Sequence, residues 1–391
     1  MSEWKKVKLG DVCQIIDGDR GKNYPKNNEF FGSGYCLFLN TGNVTKEGFS
    51  FANNQFITKE KDELLRKGKI QRGDLILTTR GTIGNIAYYT NHIKYENVRI
   101  NSGMVILRVN KENVDASFLY QLVRSKESRT YINSFCTGSA QPQLPIKNLS
   151  QICFEIPSLS TQHRIATILS RYDSLIENYQ KQIKLLEEAA QRLYKEWFVD
   201  FHFPGYENAM IVDGVPEGWE KKKVGDMISK IQRTKQVTTN NYQASGKIPV
   251  IDQSRNYIAG YTDDAECLVR VTVPYIVFGD HTRILKYIPF SFAKGADGTQ
   301  LIMSNDLERM PQTLFYNSLI EIDLSNYSYA RHFKYLKEEF VLLPSEYIAR
   351  KYDSIVSRYY QSIQKSREQI RLLTEARDRL LPKLMSGEIT V

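Results

Sequence analysis

Asp280 and His281 place a carboxylate beside an imidazole, where the apolar run IVFG at 276–279 ends in the polar residues DHTR. An imidazole acts as a general base when a nucleophile or a water molecule lies within reach and a third group orients the ring. Neighbouring side chains on a strand or in a tight turn point apart, and the sequence nominates no such nucleophile. Aspartate, histidine, threonine and arginine also supply donors and acceptors that suit base edges and phosphates. Residues 280–283 therefore indicate either a nucleic-acid contact or an ordinary capped turn with an exposed arginine.

A comparable β run in the first half of the chain ends in TTRGTIG, residues 78–84. Its simplest interpretation is a hairpin turn. Each of the other polar, basic loops is by itself typical of a solvated surface; they lie at 17–28, 138–143, 232–236, 252–257 and 329–334. Their combined basic character favours a few contacts with the phosphates of a nucleic acid.

Signatures of catalysis and of cofactor binding are missing from the sequence. It contains no GxxxxGK[ST] or GxGxxG pattern for phosphates and no HExxH pattern for zinc, and its five histidines are dispersed. The pair Asp263 and Asp264, beside Tyr261 and Thr262, is typical of a turn. The sequence therefore predicts no catalytic residue, no metal site and no cofactor.

The composition suits a globular protein with a polyanionic partner. A chain of 391 residues is long enough for two ordinary domains, and 53 Lys and Arg against 44 Asp and Glu give a net charge of +9. The five cysteines are scattered and form no CxxC pair, which argues against a disulfide framework. No apolar run reaches the roughly 18 residues of a membrane span. We therefore expect a cytoplasmic protein without a membrane partner.

The sequence is similar to itself in two places. WKKVKLGDV at 4–12 matches WEKKKVGDM at 219–227, and the segment 156–193 matches 343–380 in an unbroken register. Between these matches the two halves look unalike. Duplicated ends around divergent middles indicate one architecture used twice, with different surface chemistry in each copy.

The repeated segment predicts a long helix. From Ile165 to Trp197, apolar residues recur at alternating spacings of four and three, which is the pattern of a coiled-coil seam. The second copy keeps the seam but interrupts it at Ser366 and Arg377, and Pro382 is expected to end or kink its helix. The two helices are expected to pack on each other, and the spacing leaves parallel and antiparallel arrangements open. Short β-rich runs between the repeats indicate an α/β or α+β domain in each copy.

These motifs resemble those of the specificity (S) subunits of type I restriction–modification enzymes. The resemblance covers essentially the whole chain and is carried by W…LGDV and W…VGDM, RGDLILTTRGTIG, GSAQPQLPIKNLSQICFEIPSLSTQHRIATIL, LLEEAAQRLYKEWF, IPVIDQSRNYIAGYTD, YIVFGDHTRILKY, FAKGADGTQLI and LLPKLMSGEI. It implies an α+β protein in which two globular α/β target recognition domains are separated by two long helices. These helices would form an antiparallel coiled coil, with a pseudo-twofold internal repeat. The implied boundaries are 1–158 for the first recognition domain, 159–203 for the central helix, 204–345 for the second recognition domain and 346–391 for the C-terminal helix.

The resemblance further implies a non-catalytic subunit that confers DNA sequence specificity. Each recognition domain would read one half of a bipartite, asymmetric target on double-stranded DNA, and the helices would set the spacer and dock two adenine methyltransferase (M) subunits. Restriction (R) subunits would complete the complex, with S-adenosylmethionine, ATP and Mg bound only by these partner subunits. The predicted DNA-binding residues are Arg20, Lys22, Thr79, Arg80, Thr82, Gln141, Gln143, Arg233, Lys235, Gln253, Arg255, Asp280, His281, Thr282, Arg283 and Arg331.

Two alternatives remain open. One is a coiled-coil scaffold whose domains bind protein, for which any binding to duplex DNA would be weak and insensitive to salt. The other is a stand-alone nuclease that uses His281, for which plasmid turnover with magnesium would be lost in the His281→Ala variant.

Overall fold

The structure, a computed structural model, describes residues 4–138, 140–232, 234–295, 297–327 and 331–391. The chain divides into two compact units. Unit 1 comprises the residues up to Glu177 together with Ile370–Val391, and unit 2 comprises Asn178–Gln369. Both units contain sheets and helices, so the predicted α+β class is confirmed. Over the described ranges, no helix has the length and apolar character needed to cross a lipid bilayer.

Unit 1 contains most of the β structure of the first half of the chain. Its elements are β1 (Lys5–Lys8), α1 (Leu9–Val12), β2 (Cys13–Asp17), β3 (Cys36–Leu39), β4 (Val44–Thr45), β5 (Gly48–Phe49), β6 (Phe56–Ile57), α2 (Lys59–Leu64), β7 (Leu75–Thr78), β8 (Ile86–Tyr88), β9 (Val98–Ile100), β10 (Met104–Val109), α3 (Ala116–Arg124), α4 (Lys126–Asn133), α5 (Ile146–Gln151), β11 (Cys153–Ile156) and the start of α6 (Leu159–Tyr194).

Two sheets form the centre of unit 1. One is antiparallel with the strand order β2-β10-β7-β8, and the other has the order β6-β3-β9 with β3 and β9 parallel. Leu75 and Leu77 of β7 pack in the same apolar cluster as Phe118 of α3, whereas Ile76 packs in the cluster of the β3–β9 sheet. Strand β7 is thus buried on both faces, which explains why its sequence is continuously apolar instead of alternating with polar residues.

Unit 2 contains the second set of elements. They are β12 (Ile211–Val212), β13 (Val215–Pro216), β14 (Glu220–Lys223), β15 (Ile248–Ile251), β16 (Gly260–Thr262), β17 (Leu268–Val269), β18 (Tyr275–Gly279), β19 (Leu285–Ile288), β20 (Phe292–Lys294), β21 (Thr299–Ile302), α7 (Gln312–Ile320), α8 (His332–Glu338), β22 (Phe340–Leu343) and most of α9 (Glu346–Met385).

The divergent middles of the two halves share one topology. Strands β18, β19 and β21 of unit 2 form an antiparallel sheet with the order β19-β18-β21, as β8-β7-β10 do in unit 1. Strands β15 and β20 are parallel neighbours, as β3 and β9 are. The outer pair β14–β22 matches β1–β11. The predicted repeat of one architecture is therefore confirmed, although the sequences of these middles look unalike.

The long helices α6 and α9 pack antiparallel. In unit 2 the Ser366 hydroxyl donates to Oε1 of Gln182 (3.3 Å), and the Tyr352 hydroxyl donates to the carbonyl of Ala190 (3.3 Å). The partner residue number on α9 therefore falls as the residue number on α6 rises. This order answers the question that the heptad spacing left open, and it confirms the antiparallel coiled coil.

Both predicted interruptions of the seam make polar contacts between the helices. Buried Ser366 bonds Gln182 in unit 2, and in unit 1 Arg377 pairs with Asp173 (2.8 Å), which also pairs with Arg124 of α3 (2.9 Å). Polar groups inside an apolar seam select one register, because any shift would leave them unpaired. The expectation for Pro382 is wrong in one respect, since α9 continues past this residue to Met385.

Candidate nucleic-acid interface

One edge of unit 1 gathers four loops that are far apart in the sequence. After β7, the Thr79 N–H donates to the carbonyl of Gly103 (2.8 Å), and the Thr79 carbonyl accepts from the Leu144 N–H (2.9 Å). The Asn101 N–H donates to the carbonyl of Leu39 at the end of β3 (2.9 Å). We call this region the loop edge of unit 1, defined by residues 40–43, 79–84, 101–103 and 141–143.

Unit 2 repeats these backbone bonds one for one. The Asp280 N–H donates to the Gly298 carbonyl (2.7 Å), and the Asp280 carbonyl accepts from the His332 N–H (2.9 Å). The Gly295 N–H donates to the carbonyl of Ile251 at the end of β15 (2.8 Å). The loop edge of unit 2 is accordingly defined by residues 252–256, 280–283, 297–298 and 331.

The matching bonds establish which positions correspond between the two loop edges. Arg80 corresponds to His281, because each follows the residue whose N–H and carbonyl are both bonded. By the same reasoning Thr41 corresponds to Gln253. Gln143 corresponds to Arg331. The two edges thus place different side chains at the same backbone positions.

In unit 1 the loop edge presents most of the predicted residues to solvent. Arg80, Thr82, Gln141 and Gln143 are exposed, and Arg80 and Gln143 are joined by a β-bridge. The Arg20 side chain donates to the carbonyl of Ser102 (3.2 Å) and to Asp17 (3.2 Å), so it lies beside the same edge. Lys22 is exposed on the same loop as Arg20.

Thr79 is a correction to the predicted set. Its side chain is buried, and its hydroxyl donates to the carbonyl of Gly103 (3.1 Å). The residue therefore shapes the turn and does not present its hydroxyl to a ligand.

In unit 2 the loop edge is organised around Gln253. Its Oε1 accepts from the His281 N–H (3.1 Å), its carbonyl accepts from the Thr282 hydroxyl (2.7 Å), and its Nε2 donates to the carbonyl of Asp297 (2.9 Å). His281, Thr282, Arg255 and Arg331 are exposed. The imidazole of His281 therefore stands at the tip of a turn that its neighbours hold in place.

Asp280 is the second correction. Its carboxylate is buried and accepts from the N–H of Phe333 (2.8 Å) in the first turn of α8. The carbonyl of Asp280 also accepts from the backbone N–H of His332 (2.9 Å), and Nδ1 of the His332 ring lies at the same distance from it (2.9 Å). Carboxylates at helix N-termini satisfy free N–H groups and favour the positive end of the helix dipole. Asp280 is therefore a structural cap that neither faces a ligand nor orients His281, and the acid and imidazole do not form a catalytic pair.

The Asp280→Ala variant should lose about 1–2 kcal/mol of unit 2 stability, the usual cost of removing a helix cap. Hydrogen exchange of the amides of β18 and α8 measures this loss within unit 2. His281→Ala is the matched control, because the neighbouring side chain is exposed and its removal should leave the protection of these amides unchanged. Equal protection in Asp280→Ala and the wild type would contradict the capping role.

Two other predicted residues, Lys235 and Arg283, are less available than the sequence indicates. Lys235 is exposed but pairs with both Asp264 and Glu266 (2.8 Å each), which offset its charge. The guanidinium of Arg283 donates to the carbonyl of Leu324 (3.1 Å), and its backbone has a positive φ of 61°. Arg233 lies outside the described residues.

Thr41 and Arg66 also lie at or beside the loop edge of unit 1, although no sequence pattern indicated them. A Cβ added to Gly103 would lie 2.8 Å from the Thr41 side chain, so Thr41 is packed within the loop edge. Arg66 is exposed, and its N–H donates to the carboxylate of Asp19 (2.7 Å). Burial acts to raise the pKa of Asp19, but the N–H groups that donate to this carboxylate outweigh it and hold the pKa below its usual value. The charged Asp19 therefore ties Arg66 to the loop that carries Arg20.

The described residues contain no cluster of three or more histidine, cysteine or carboxylate side chains placed to hold a metal ion. The chemistry of both loop edges consists instead of hydrogen-bond donors, acceptors and positive charges on exposed turns. Such groups are the ones that proteins use against base edges and phosphates.

The sequence is similar to that of type I restriction enzyme specificity subunits. The family model described as type I restriction modification DNA specificity domain matches residues 1–188. The MjaIX specificity subunit of a type I restriction enzyme from Methanocaldococcus jannaschii is 28% identical over 419 residues, covering 100% of this chain and 94% of the relative. The HindI specificity subunit from Haemophilus influenzae is 28% identical over 208 residues, covering 51% of this chain and 42% of the relative.

The fold agrees with these similarities. The crystal structure of the type I restriction-modification system S subunit from M. genitalium superposes with a TM-score of 0.59 at 15% identity, covering 98% of this chain and 96% of that one. Residues 1–188 match the type I restriction modification DNA specificity domain, and over its whole length the chain is similar in sequence and fold to type I specificity subunits.

Proposed function

We propose that each loop edge reads one half of a bipartite, asymmetric target on double-stranded DNA, and that the chain itself catalyses no reaction. The observation that carries this proposal is the pair of matching loop edges with unlike side chains. Arg80 stands where unit 2 has His281, and Gln143 stands where unit 2 has Arg331. Base pairs differ in the donors and acceptors that they present in the major groove. Equivalent backbones with different side chains therefore favour two different half-sites.

We infer the partner subunits from the similarity of this chain to type I specificity subunits. Helices α6 and α9 would set the spacer between the half-sites and dock two methyltransferase subunits that modify adenine. Restriction subunits would join the full complex, and S-adenosylmethionine, ATP and Mg would bind to these partners. The basic net charge of +9 supports a polyanionic ligand.

The test is to assemble the full chain with its methyltransferase subunits and to map methylated adenines on DNA of random sequence. We expect one motif with two unlike blocks at a fixed separation. His281→Ala should relax selectivity in one block only, and Arg80→Ala in the other block only. A motif with two identical blocks, or two variants that relax the same block, would contradict the proposal.

Arg80→Ala should weaken binding to the cognate duplex by about 1–3 kcal/mol and relax selectivity at one base pair, which is the usual cost of losing an arginine that contacts a base. Titration of labelled duplex measures both effects. Lys111→Ala is the matched control, because this exposed lysine follows β10 at the end opposite Gly103. A uniform loss of affinity across all sequences would assign Arg80 to phosphate contact instead of base readout.

Salt separates this function from the scaffold alternative. Affinity for duplex DNA should fall steeply as salt rises, since neutralising phosphates releases counterions. Weak binding that does not change with salt would favour a protein-binding scaffold.

A further inference from the structure

Lys286 of β19 is a lysine whose ammonium lies inside unit 2. Its side chain is 4% exposed, and its Nζ donates to the carbonyls of Asp252 (2.7 Å) and Asn256. The carboxylate of Asp252 lies 3.8 Å from the same nitrogen. A buried ammonium is stable only when acceptors replace its hydration. The loop 252–256 supplies these acceptors, so Lys286 bonds both ends of this loop.

The loop that Lys286 holds is part of the loop edge of unit 2. It carries Gln253, whose carbonyl accepts from Thr282 and whose Oε1 accepts from the N–H of His281. A displacement of the loop would therefore move the His281 turn with it. Lys286 therefore acts on that turn through Gln253, because its Nζ donates to the carbonyls of Asp252 and Asn256 on either side of this residue.

In unit 1 the corresponding loop, residues 40–43 after β3, is held by different contacts. In the hairpin β18–β19 Lys286 stands opposite Val277, and the equivalent position of β7–β8 is Ala87 opposite Ile76. Ala87 cannot reach the loop after β3. That loop is held by asparagine side chains, since the Asn40 N–H donates to Asn43 Oδ1 (2.9 Å) and Asn40 Oδ1 accepts from the Gly42 N–H (2.8 Å). Asn43 Nδ2 also donates to the carbonyls of Ser50 (2.9 Å) and Asn53 (3.0 Å).

We propose that Lys286 is a positioning residue for sequence reading by unit 2, which holds the loop 252–256 so that Gln253 and the His281 turn meet the DNA in one fixed arrangement. This inference rests on the proposed function. Removing the lysine should disturb the half-site read by unit 2 and leave the half-site read by unit 1 intact.

The environment of the ammonium supports this role. Burial lowers the pKa of Lys286 to about 8, and the carboxylate of Asp252 acts in the opposite direction. The neighbouring loop also carries Tyr257, whose hydroxyl donates to the carbonyl of Tyr287 (2.7 Å) and whose ring stacks under Arg367. The loop is thus tied to β19 at Lys286 and at the next residue along the strand.

The experiment compares Lys286→Met with the wild type in the full chain assembled with methyltransferase subunits. Discrimination between cognate and single-mismatch duplexes should fall about tenfold or more at the half-site of unit 2, the order of effect expected for one misplaced base contact. It should stay unchanged at the other half-site. Lys247→Met is the matched control, because it removes one exposed positive charge just before the start of β15, at the end opposite the loop. Discrimination lowered equally at both half-sites, or at neither, overturns the proposal.

Hydrogen exchange supplies an independent measurement. The amides of residues 252–256 should exchange faster in Lys286→Met, and those of residues 40–43 should not change. If the methionine variant does not fold, Lys286→Gln takes its place. The shorter glutamine side chain should leave the protein folded. Discrimination should again fall only at the half-site of unit 2, but by a smaller factor. A wild-type complex without bipartite discrimination would refute the proposed function, whereas unchanged exchange at 252–256 would refute the role of Lys286.

Discussion

Asp62→Ala should remove about 3–5 kcal/mol from the stability of unit 1, because it leaves a buried guanidinium without its counter-charge. The Asp62 carboxylate of α2 accepts from Arg99 of β9, from Lys69 and from the Cys36 thiol (3.4 Å). Arg99 and Asp62 are both buried. Arg99 also donates to the carbonyls of Lys67 (2.7 Å) and Leu65 (3.0 Å), so it cannot leave its site without breaking further bonds.

Hydrogen exchange of the amides of β3 and β9 measures this loss within unit 1, where a single unfolding midpoint for the whole chain would mix both units. Glu63→Ala is the matched control. It removes a carboxylate from the next residue, whose side chain is 66% exposed and pairs only loosely with Lys59 (4.0 Å). Surface pairs of this kind contribute about 0–1 kcal/mol. Similar protection in the two variants would mean that the Asp62 contacts do not hold unit 1 together.

Low pH should weaken the stabilising contacts of the Asp62 carboxylate. Burial works to raise the pKa of Asp62, but the hydrogen bonds from Lys69 and Arg99 outweigh it and hold the pKa below its usual value. A carboxylate whose pKa is lowered by folding stabilises the protein at neutral pH and loses that contribution as the pH falls through its folded value. The wild type should therefore lose more stability than Asp62→Ala when the pH is lowered from 7 to about 3.

Lengthening both long helices by four residues should lengthen the spacer of the DNA target by one or two base pairs, with both half-sites unchanged. Four helical residues rise about 6 Å and turn about 40° beyond one full turn. One base pair rises about 3.4 Å and turns about 34°. This prediction rests on the proposal that α6 and α9 set the spacer, and mapping of methylated adenines reads the result.

The insertion sites follow from the contacts of the helices. Four residues inserted after Glu177 and four after Gln369 leave Asp173 opposite Arg377 in unit 1 and Gln182 opposite Ser366 in unit 2. A single insertion after Glu177 is the control, since it breaks the match between the two helices and should lower stability without producing a new spacer. A doubly lengthened protein that methylates only the original spacer would contradict the proposed role of the helices.

The long helices and the repeat could be predicted because heptad spacing and matching segments are local properties of the sequence. The heptad pattern identifies Ser366 and Arg377 as interruptions of the seam. Their partners Gln182 and Asp173 could not be predicted, because the spacing did not determine the direction in which the helices pack.

The loop edges could be predicted only in part. The composition of residues 79–84 and 280–283 predicts two turns, but the direction of each side chain depends on elements elsewhere in the chain. Asp280 caps α8, whose first turn lies more than fifty residues later. Lys286 in an apolar strand carries no local sign that it is buried, because the carbonyls that accept its protons belong to the loop after β15. Thr41 corresponds to Gln253 because the backbone bonds of the two loops match. The sequences around these two residues are too dissimilar to show this correspondence.

The division of residues between the units has a consequence for biosynthesis. Unit 2 consists of one continuous stretch, Asn178–Gln369, whereas unit 1 also requires Ile370–Val391, whose Leu381 and Leu384 pack in its core. On the ribosome, unit 2 can thus acquire all of its residues while unit 1, although begun first, still lacks part of its interior. Unit 1 is therefore begun first and completed last. Its core lacks Leu381 and Leu384 until the ribosome has translated residue 384.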